Sequence, residues 1–243
     1  MLLGGIFGTL LILYRSAKYN IKIEDTLYAL LFGLAGALIG AKILFLIVNL
    51  KDIWEYRSLF WENPGLYLNA LFGGGLVFYG GLIGGCIFIY LYCKKYKIPY
   101  LKILDLLTPS IALAHGFGRI GCFLAGCCYG LPVQGSLGIA FTNSPVAPNN
   151  IPLFPVQLLE SGFNFALCAV LLIYARKNKS LGKVSGLYLL IYSIARFLLE
   201  FLRSDNARGF LFGISTSQLI SIFLLPIGFV LFSNLWVQNA DKK

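Results

Sequence analysis

Long apolar runs are the feature that most limits what this chain can become. Such runs occur at 26–49, 67–92, 103–128, 156–175, 184–203 and 212–236, with a shorter one at 2–14. A helix needs roughly 20 mostly apolar residues to cross a hydrocarbon layer of about 30 Å. In lipid its backbone groups must bond within the segment. Only 12% of the residues are charged and 58% are hydrophobic, whereas soluble domains are about 25% charged. The excess apolar surface must face lipid. The expectation is an all-α integral membrane protein, one transmembrane domain over 1–243, with about seven transmembrane helices. The opening MLLGGIFGTLLILY lacks a basic lead and a small-residue cleavage site, so it reads as a first helix and not as a removed signal peptide.

Charge alternates between the loops. Arg15, Lys18 and Lys22, then Lys94, Lys95, Lys97 and Lys102, then Arg176, Lys177, Lys179 and Lys183, and the tail Lys242 and Lys243 fall on one side. The opposite loops are acid-leaning (52–64) or uncharged (131–155). The positive-inside rule makes the first set cytoplasmic, with the N-terminus outside and the C-terminus cytoplasmic. The net charge of +10 is thereby a topology signal and a contact with anionic headgroups. No nucleic-acid-binding motif accompanies it. No internal repeat appears.

Six cysteines lie in or beside apolar segments, which is not the pattern of a secreted disulfide framework. Cys122, Cys127 and Cys128 match no structural zinc spacing. They read as small packing residues, and no metal is expected.

Lys42, Asp105, Arg119, Arg196, Glu200 and Arg203 remain inside or at the ends of apolar segments. Charges at membrane depth cost at least about 2.5–3.5 kcal/mol each, and they mark polar cavities and function. Tyr192, Arg196, Glu200 and Arg203 follow one another at helical spacing and form a polar stripe on one face. Glu200 is placed to hold both arginines, leaving guanidinium donors for an external anion. A self-satisfied ion network with Arg203 reaching the interface is the other reading of the same stripe. Arg119 sits in a glycine-dense stretch where a ligand can approach, with Asp105 or Glu200 as the alternative partner. His115 lies one turn before it. The string Gly116–Gly121 matches G-x-G-x-x-G, but no strand precedes it, so it is not a dinucleotide site. Glycines at 73–75 and 80–85, around Tyr79, suggest a tightly packed or broken third helix.

Five segments in order resemble the prolipoprotein diacylglyceryl transferases of bacteria. They are EDTLYALLFGLAGALIGAKI, ENPGLYLNALFGGGLVFYGGLIGG, HGFGRIGCFLAGCCYG, LFPVQLLES, and ARFLLEFLRSD followed by STSQLISI. Lys42 stands where the family often has arginine. Cys122 and Cys127 replace the asparagine and glutamate of the signature, and Tyr79 replaces a histidine. Arg119, Gly130, Gln157, Glu160, Tyr192, Arg196, Glu200 and Arg203 match. The resemblance implies an enzyme that transfers the diacylglyceryl group of phosphatidylglycerol to the lipobox cysteine of a lipoprotein precursor. Glycerol 1-phosphate is released, without metal or soluble cofactor. It implies a multi-pass protein of the bacterial plasma membrane whose active site faces outward. Arg119, Arg196, His115 and Tyr79 are the expected catalytic residues. Arg203, Glu200, Tyr192, Lys42, Cys122, Cys127, Gly130 and Gln157 are expected to bind substrate. Two other readings stay open: a paralogue with a different acceptor, and a non-catalytic lipid- or peptide-binding membrane protein.

Overall fold

The computed structural model describes residues 2–73, 75–135, 137–177, 180–204, 209–211 and 213–233. In chain order the helices are α1 (Leu2–Ser16), α2 (Ile23–Val48), α3 (Leu50–Glu55), α4 (Leu59–Glu62), α5 (Pro64–Gly73), α6 (Phe78–Tyr96), α7 (Tyr100–Leu124), α8 (Val156–Lys177), α9 (Lys183–Leu199) and α10 (Thr216–Ser233). Two short antiparallel pairs complete it: β1 (Ile139–Ala140) with β2 (Pro152–Leu153), and β3 (Phe210–Leu211) with β4 (Ile214–Ser215). The chain forms two compact units, one of residues 20–103 and one of residues 1–19 with 104–243.

The expectation of about seven transmembrane helices is corrected. Among the described residues four helices are long and apolar enough to cross a membrane: α2, α8, the α9 segment to Leu202, and α10. The count reaches five if α5 and α6, bent by 72° at their junction, are taken as one span. The reasons are local. Helix α1 has 15 residues, or about 22 Å at 1.5 Å per residue, short of a full crossing. Helix α7 is long, but it carries Lys102, Asp105, His115 and Arg119, with Pro109 inside it. The third span is interrupted at the glycine cluster. Of the basic loop residues, Lys179, Lys242 and Lys243 lie outside the described residues.

In the 20–103 unit, α2 and α6 meet glycine to glycine. A Cβ on Gly36 would lie 2.5 Å from the Gly84 carbonyl oxygen, and one on Gly40 would collide with the Gly80 carbonyl. Gly80 and Gly84 face the same problem from the other side. Both helices thus carry a G-x-x-x-G face, which lets backbones approach where lipid offers no hydrophobic drive for association. Tyr92 donates to Asp25 Oδ1 at 3.1 Å and packs on Phe32 and Tyr96. Lys42 donates to the Phe72 carbonyl at 3.3 Å, one of the last carbonyls of α5, and lies over the Phe45 ring. A cation suits that helix end.

The other unit is organised around α7. Pro109 has no N–H, so the Asp105 carbonyl four residues earlier loses its helical donor. Arg15, only 3% exposed, reaches across from α1 to fill the gap. It donates to the Asp105 carbonyl at 3.1 Å and the Leu106 carbonyl at 2.5 Å. Arg15 was expected in a cytoplasmic loop; the proline explains its burial instead. The Asp105 carboxylate has its own task. It accepts the backbone N–H of Gly182 at 2.6 Å and that of Ser185 at 2.8 Å, and the Ser185 hydroxyl at 2.8 Å. These are the orphan donors at the start of α9, whose N-cap position is Gly182 and offers no side chain. Asp105 therefore caps α9 from a neighbouring helix, where a negative charge also suits the helix dipole. Ala112, Leu167, Cys168, Leu171 and Val184 form the buried core among α7, α8 and α9.

Candidate active site

Two carboxylates and two guanidinium groups alternate across three elements of the 104–243 unit. Arg119 of α7 pairs through Nε with Glu160 Oε2 of α8 at 2.5 Å. The other oxygen, Glu160 Oε1, faces Arg196 Nη1 of α9 at 3.3 Å. Arg196 Nη2 then holds Glu200 Oε2 at 2.8 Å, one turn further along. Ser217, at the start of α10, accepts from Arg196 Nη2 at 3.1 Å and donates to Glu200 Oε1 at 2.9 Å. Both carboxylates are nearly sealed, with side chains 4% and 3% exposed, and the arginines are only slightly more open at 12% and 11%. Removing one member of such a buried set strands a charge, which typically costs about 3–5 kcal/mol.

The two arginines are used differently. Arg196 spends both terminal nitrogens on Glu160, Glu200 and Ser217. Arg119 meets Glu160 through the charge contact at Nε, and neither of its Nη groups is paired with a carboxylate of the network. A guanidinium carries five N–H donors, so the outer edge of Arg119 can still grip an anion. Arg203 lies close enough to Arg119 for the two charges to repel. His115 packs on the Tyr192 ring at 5.4 Å, and Tyr192 stacks on Tyr188 at 5.3 Å.

The signature glycine has a backbone reason. Residues 129–131 run antiparallel to 202–204, with Gly130 bridged to Arg203 and Leu131 N–H donating to the Leu202 carbonyl at 3.0 Å. A Cβ on Gly130 would strike the Phe154 carbonyl. Only glycine lets these segments close, and their closure fixes Arg203.

Helix α7 ends in a Schellman turn. The Cys127 N–H donates to the Cys122 carbonyl at 3.0 Å, and the Gly126 N–H to the Phe123 carbonyl at 3.0 Å. Gly126 takes the left-handed conformation with φ of 64°. Cys128 follows with φ of 58°, a conformation that costs a non-glycine residue roughly 1–2 kcal/mol. The double reversal folds the chain back on itself. It gathers Cys122, Cys127 and Cys128 so that all three Sγ atoms lie within 4.8 Å of one another. Gln157, 1% exposed, clamps the turn by donating to the Cys127 carbonyl at 2.8 Å. Its own buried Oε1 takes no donor among the described residues.

Of the residues singled out in the sequence, the fold brings Arg119, Arg196 and Glu200 into one network through Glu160, with His115 and Tyr192 beside it. Arg203 and Gly130 meet at the adjoining strand pair, and Cys122, Cys127 and Gln157 at the turn. Glu200 pairs with Arg196 in the network, and Asp105 is the helix cap described above. Lys42 and Tyr79 belong to the 20–103 unit, where Tyr79 packs edge-on against Phe78 at 5.6 Å. The centre of the network, Glu160, was matched to a family segment but not singled out as a site residue. Its signal was its isolation, as the one carboxylate in a 22-residue apolar helix. Cys128 was likewise passed over, since sequence adjacency hid the turn that folds it back.

Comparison with known proteins gives the family of the chain. The family model described as prolipoprotein diacylglyceryl transferase matches residues 1–234. The chain is 45% identical to the phosphatidylglycerol–prolipoprotein diacylglyceryl transferase of Clostridium tetani over 230 residues, covering 94% of this chain and 88% of that protein. It is 44% identical to the second such transferase of Clostridium perfringens, covering 95% and 87%. It is 33% identical to that of Finegoldia magna, covering 94% and 86%.

Proposed function

The chain belongs to the prolipoprotein diacylglyceryl transferase family, and from that premise we propose how its buried ion network performs the transfer. The protein is a membrane-associated enzyme that moves a diacylglyceryl group from phosphatidylglycerol to a lipoprotein precursor. The acceptor is the thiol of a lipobox cysteine in the precursor's signal peptide. Its sulfur attacks the glyceryl carbon that carries the phosphate. That C–O bond breaks, and glycerol 1-phosphate departs with the electron pair.

Arg119 is the group that meets the phosphate. Its Nε is fixed by Glu160, while its outer nitrogens are left for a ligand. An anion between Arg119 and Arg203 relieves their mutual repulsion and stabilises the charge that grows as the phosphate leaves. Arg196 works at one remove: it orients Glu160, and Glu160 orients Arg119. His115 belongs to the phosphate side. It lies seven residues, or about 10 Å along the helix, from Cys122, but beside both Arg119 and Arg196.

The outward orientation follows from charge. Lys102, Arg176, Lys177 and Lys183 mark one end of α7, α8 and α9, and the uncharged segment 131–155 follows the other end of α7. The positive-inside rule puts the basic end in the cytoplasm and the site toward the outer face of the bacterial plasma membrane.

The observation that carries this reading is the asymmetry of the two arginines. The test is purified protein in phosphatidylglycerol bilayers with a lipobox peptide, read as peptide mass gain and glycerol phosphate release. Arg119→Ala is expected to lower turnover by at least about 100-fold; it also takes one partner from buried Glu160, so the rate is read on protein shown to be folded, beside Arg119→Lys, which keeps the charge. An Arg119→Ala variant of undiminished rate overturns the assignment.

A further inference from the structure

Three thiols stand where the Schellman turn folds back on α7, and nothing in the phosphate-binding network uses them. Cys122 lies three residues after Arg119, on the same helix face. The pairwise Sγ separations of up to 4.8 Å can be set against a metal's requirement. Zinc–sulfur bonds of about 2.3 Å at tetrahedral angles put sulfurs about 3.8 Å apart. The trio needs to contract by about 1 Å at most. The backbone is already strained into place at Cys128, with φ of 58°. Such strain in a non-glycine residue is commonly kept for a function. The three side chains are each half-buried and not sealed in the core.

We propose that Cys122, Cys127 and Cys128 bind Zn²⁺ as three thiolates, and that the open fourth position takes the acceptor cysteine of the precursor. The inference rests on the transferase reading above. Soft thiolate ligands select a thiophilic ion, and three protein ligands with one open position is the arrangement of a catalytic zinc site, not a structural one. Three thiolates on Zn²⁺ leave a net charge of minus one, close enough to feel the Arg119 guanidinium.

The step balances without any further reagent. Coordination removes the acceptor thiol's proton to water, because a thiol bound to zinc is held as thiolate. The zinc-bound sulfur attacks the glyceryl carbon, and a C–S bond forms as the C–O bond to phosphate breaks. Glycerol phosphate carries away the electron pair. The product thioether is a weaker ligand than a thiolate, so it leaves the metal and opens the position for the next precursor. In this chain the metal takes over the handling of the acceptor thiol at positions where the family pattern has asparagine and glutamate.

The experiment uses the full-length protein purified in detergent without chelator. Bound metal is measured first by mass spectrometry, and Co²⁺ is then exchanged in as a spectroscopic probe. One equivalent of zinc is expected, and the Co²⁺ form should show thiolate charge-transfer bands near the ultraviolet and intense tetrahedral d–d bands in the red. Adding a lipobox peptide should shift the d–d bands, and a peptide with its cysteine changed to serine should not. Cys128→Ser should weaken zinc binding at least 10-fold, while Cys86→Ser, in α6, should leave the spectrum unchanged. Less than a tenth of an equivalent of metal together with no thiolate bands for Co²⁺ overturns the proposal. So does a disulfide among the three in the active protein, or full peptide lipidation after exhaustive chelation. In the last case the transferase reading survives, since lipidation is still seen. Metal bound with the expected spectrum but no lipidation under any condition leaves the zinc site standing and removes the transferase step.

Discussion

Helices α2 and α6 meet through glycine backbone, with the Tyr92–Asp25 bond and its ring contacts near one end, whereas α7, α8 and α9 are held by charge. The first pair has glycines on both faces, and its carbonyls and Cα atoms touch. The second group buries two arginines and two glutamates in one alternating chain. Both solve the same problem. Lipid gives helices no hydrophobic reason to associate, so contact must come from close packing or from polar bonds. The glycine packing itself offers no side chain for chemistry. The ionic solution costs desolvation, and in exchange it leaves a cation whose outer edge can meet a substrate. A catalytic site can grow from the second kind of interface and not from the first.

The sharpest way to break this contrast is at Glu160. Glu160→Gln strands Arg119 and Arg196 against each other, and the unfolding free energy in detergent should fall by about 3–5 kcal/mol, with transfer abolished. A variant of near-normal thermal stability would mean that the network is not what joins these helices. Next comes Gly40→Ala in α2. Its new methyl group meets the Gly80 backbone, which no rotamer change can relieve, and overpacking of this kind costs about 1–3 kcal/mol. Asp105→Ala removes the cap of α9 while leaving the ion network whole, and should cost about 1 kcal/mol, read as an earlier thermal midpoint. The smallest effect is expected at Gly118→Ala. No heavy atom lies within 4 Å of the added Cβ, and alanine favours a helix over glycine by up to about 1 kcal/mol. Stability should hold or rise slightly. A loss of turnover without loss of stability would show that substrate comes down on that face, beside Arg119.

The same contrast explains what could be read from the residues alone. The glycine interface was legible because its rule is local. The glycines at 73–75 and 80–85 suggested a tightly packed or broken third helix, and the fold has a bend between α5 and α6 and a close approach at Gly80 and Gly84. The polar stripe of α9 was legible for the same reason, since Arg196 and Glu200 are one turn apart. What joins separate helices was not. Glu160 pairs with residues 41 positions before it and 36 after it, and no spacing rule links them. Arg15 was misplaced because a charge at the end of a short apolar run looks like a loop residue. Its burial depends on Pro109, more than ninety residues away. The count of full crossings failed where polar groups and a break interrupt otherwise apolar segments, because length and hydrophobicity do not say which runs bend.

The bond between Arg15 and the Asp105–Leu106 carbonyls also constrains how this protein can be made. A ribosome completes Arg15 long before it reaches Pro109, so the arginine emerges with no acceptor in the bilayer. Until α7 arrives, its guanidinium must wait at the headgroups, and α1 can only lie shallow. Docking α1 is thus a late event in biogenesis, although α1 is made before α7. A delay in folding α7 would show itself as a protease-accessible α1.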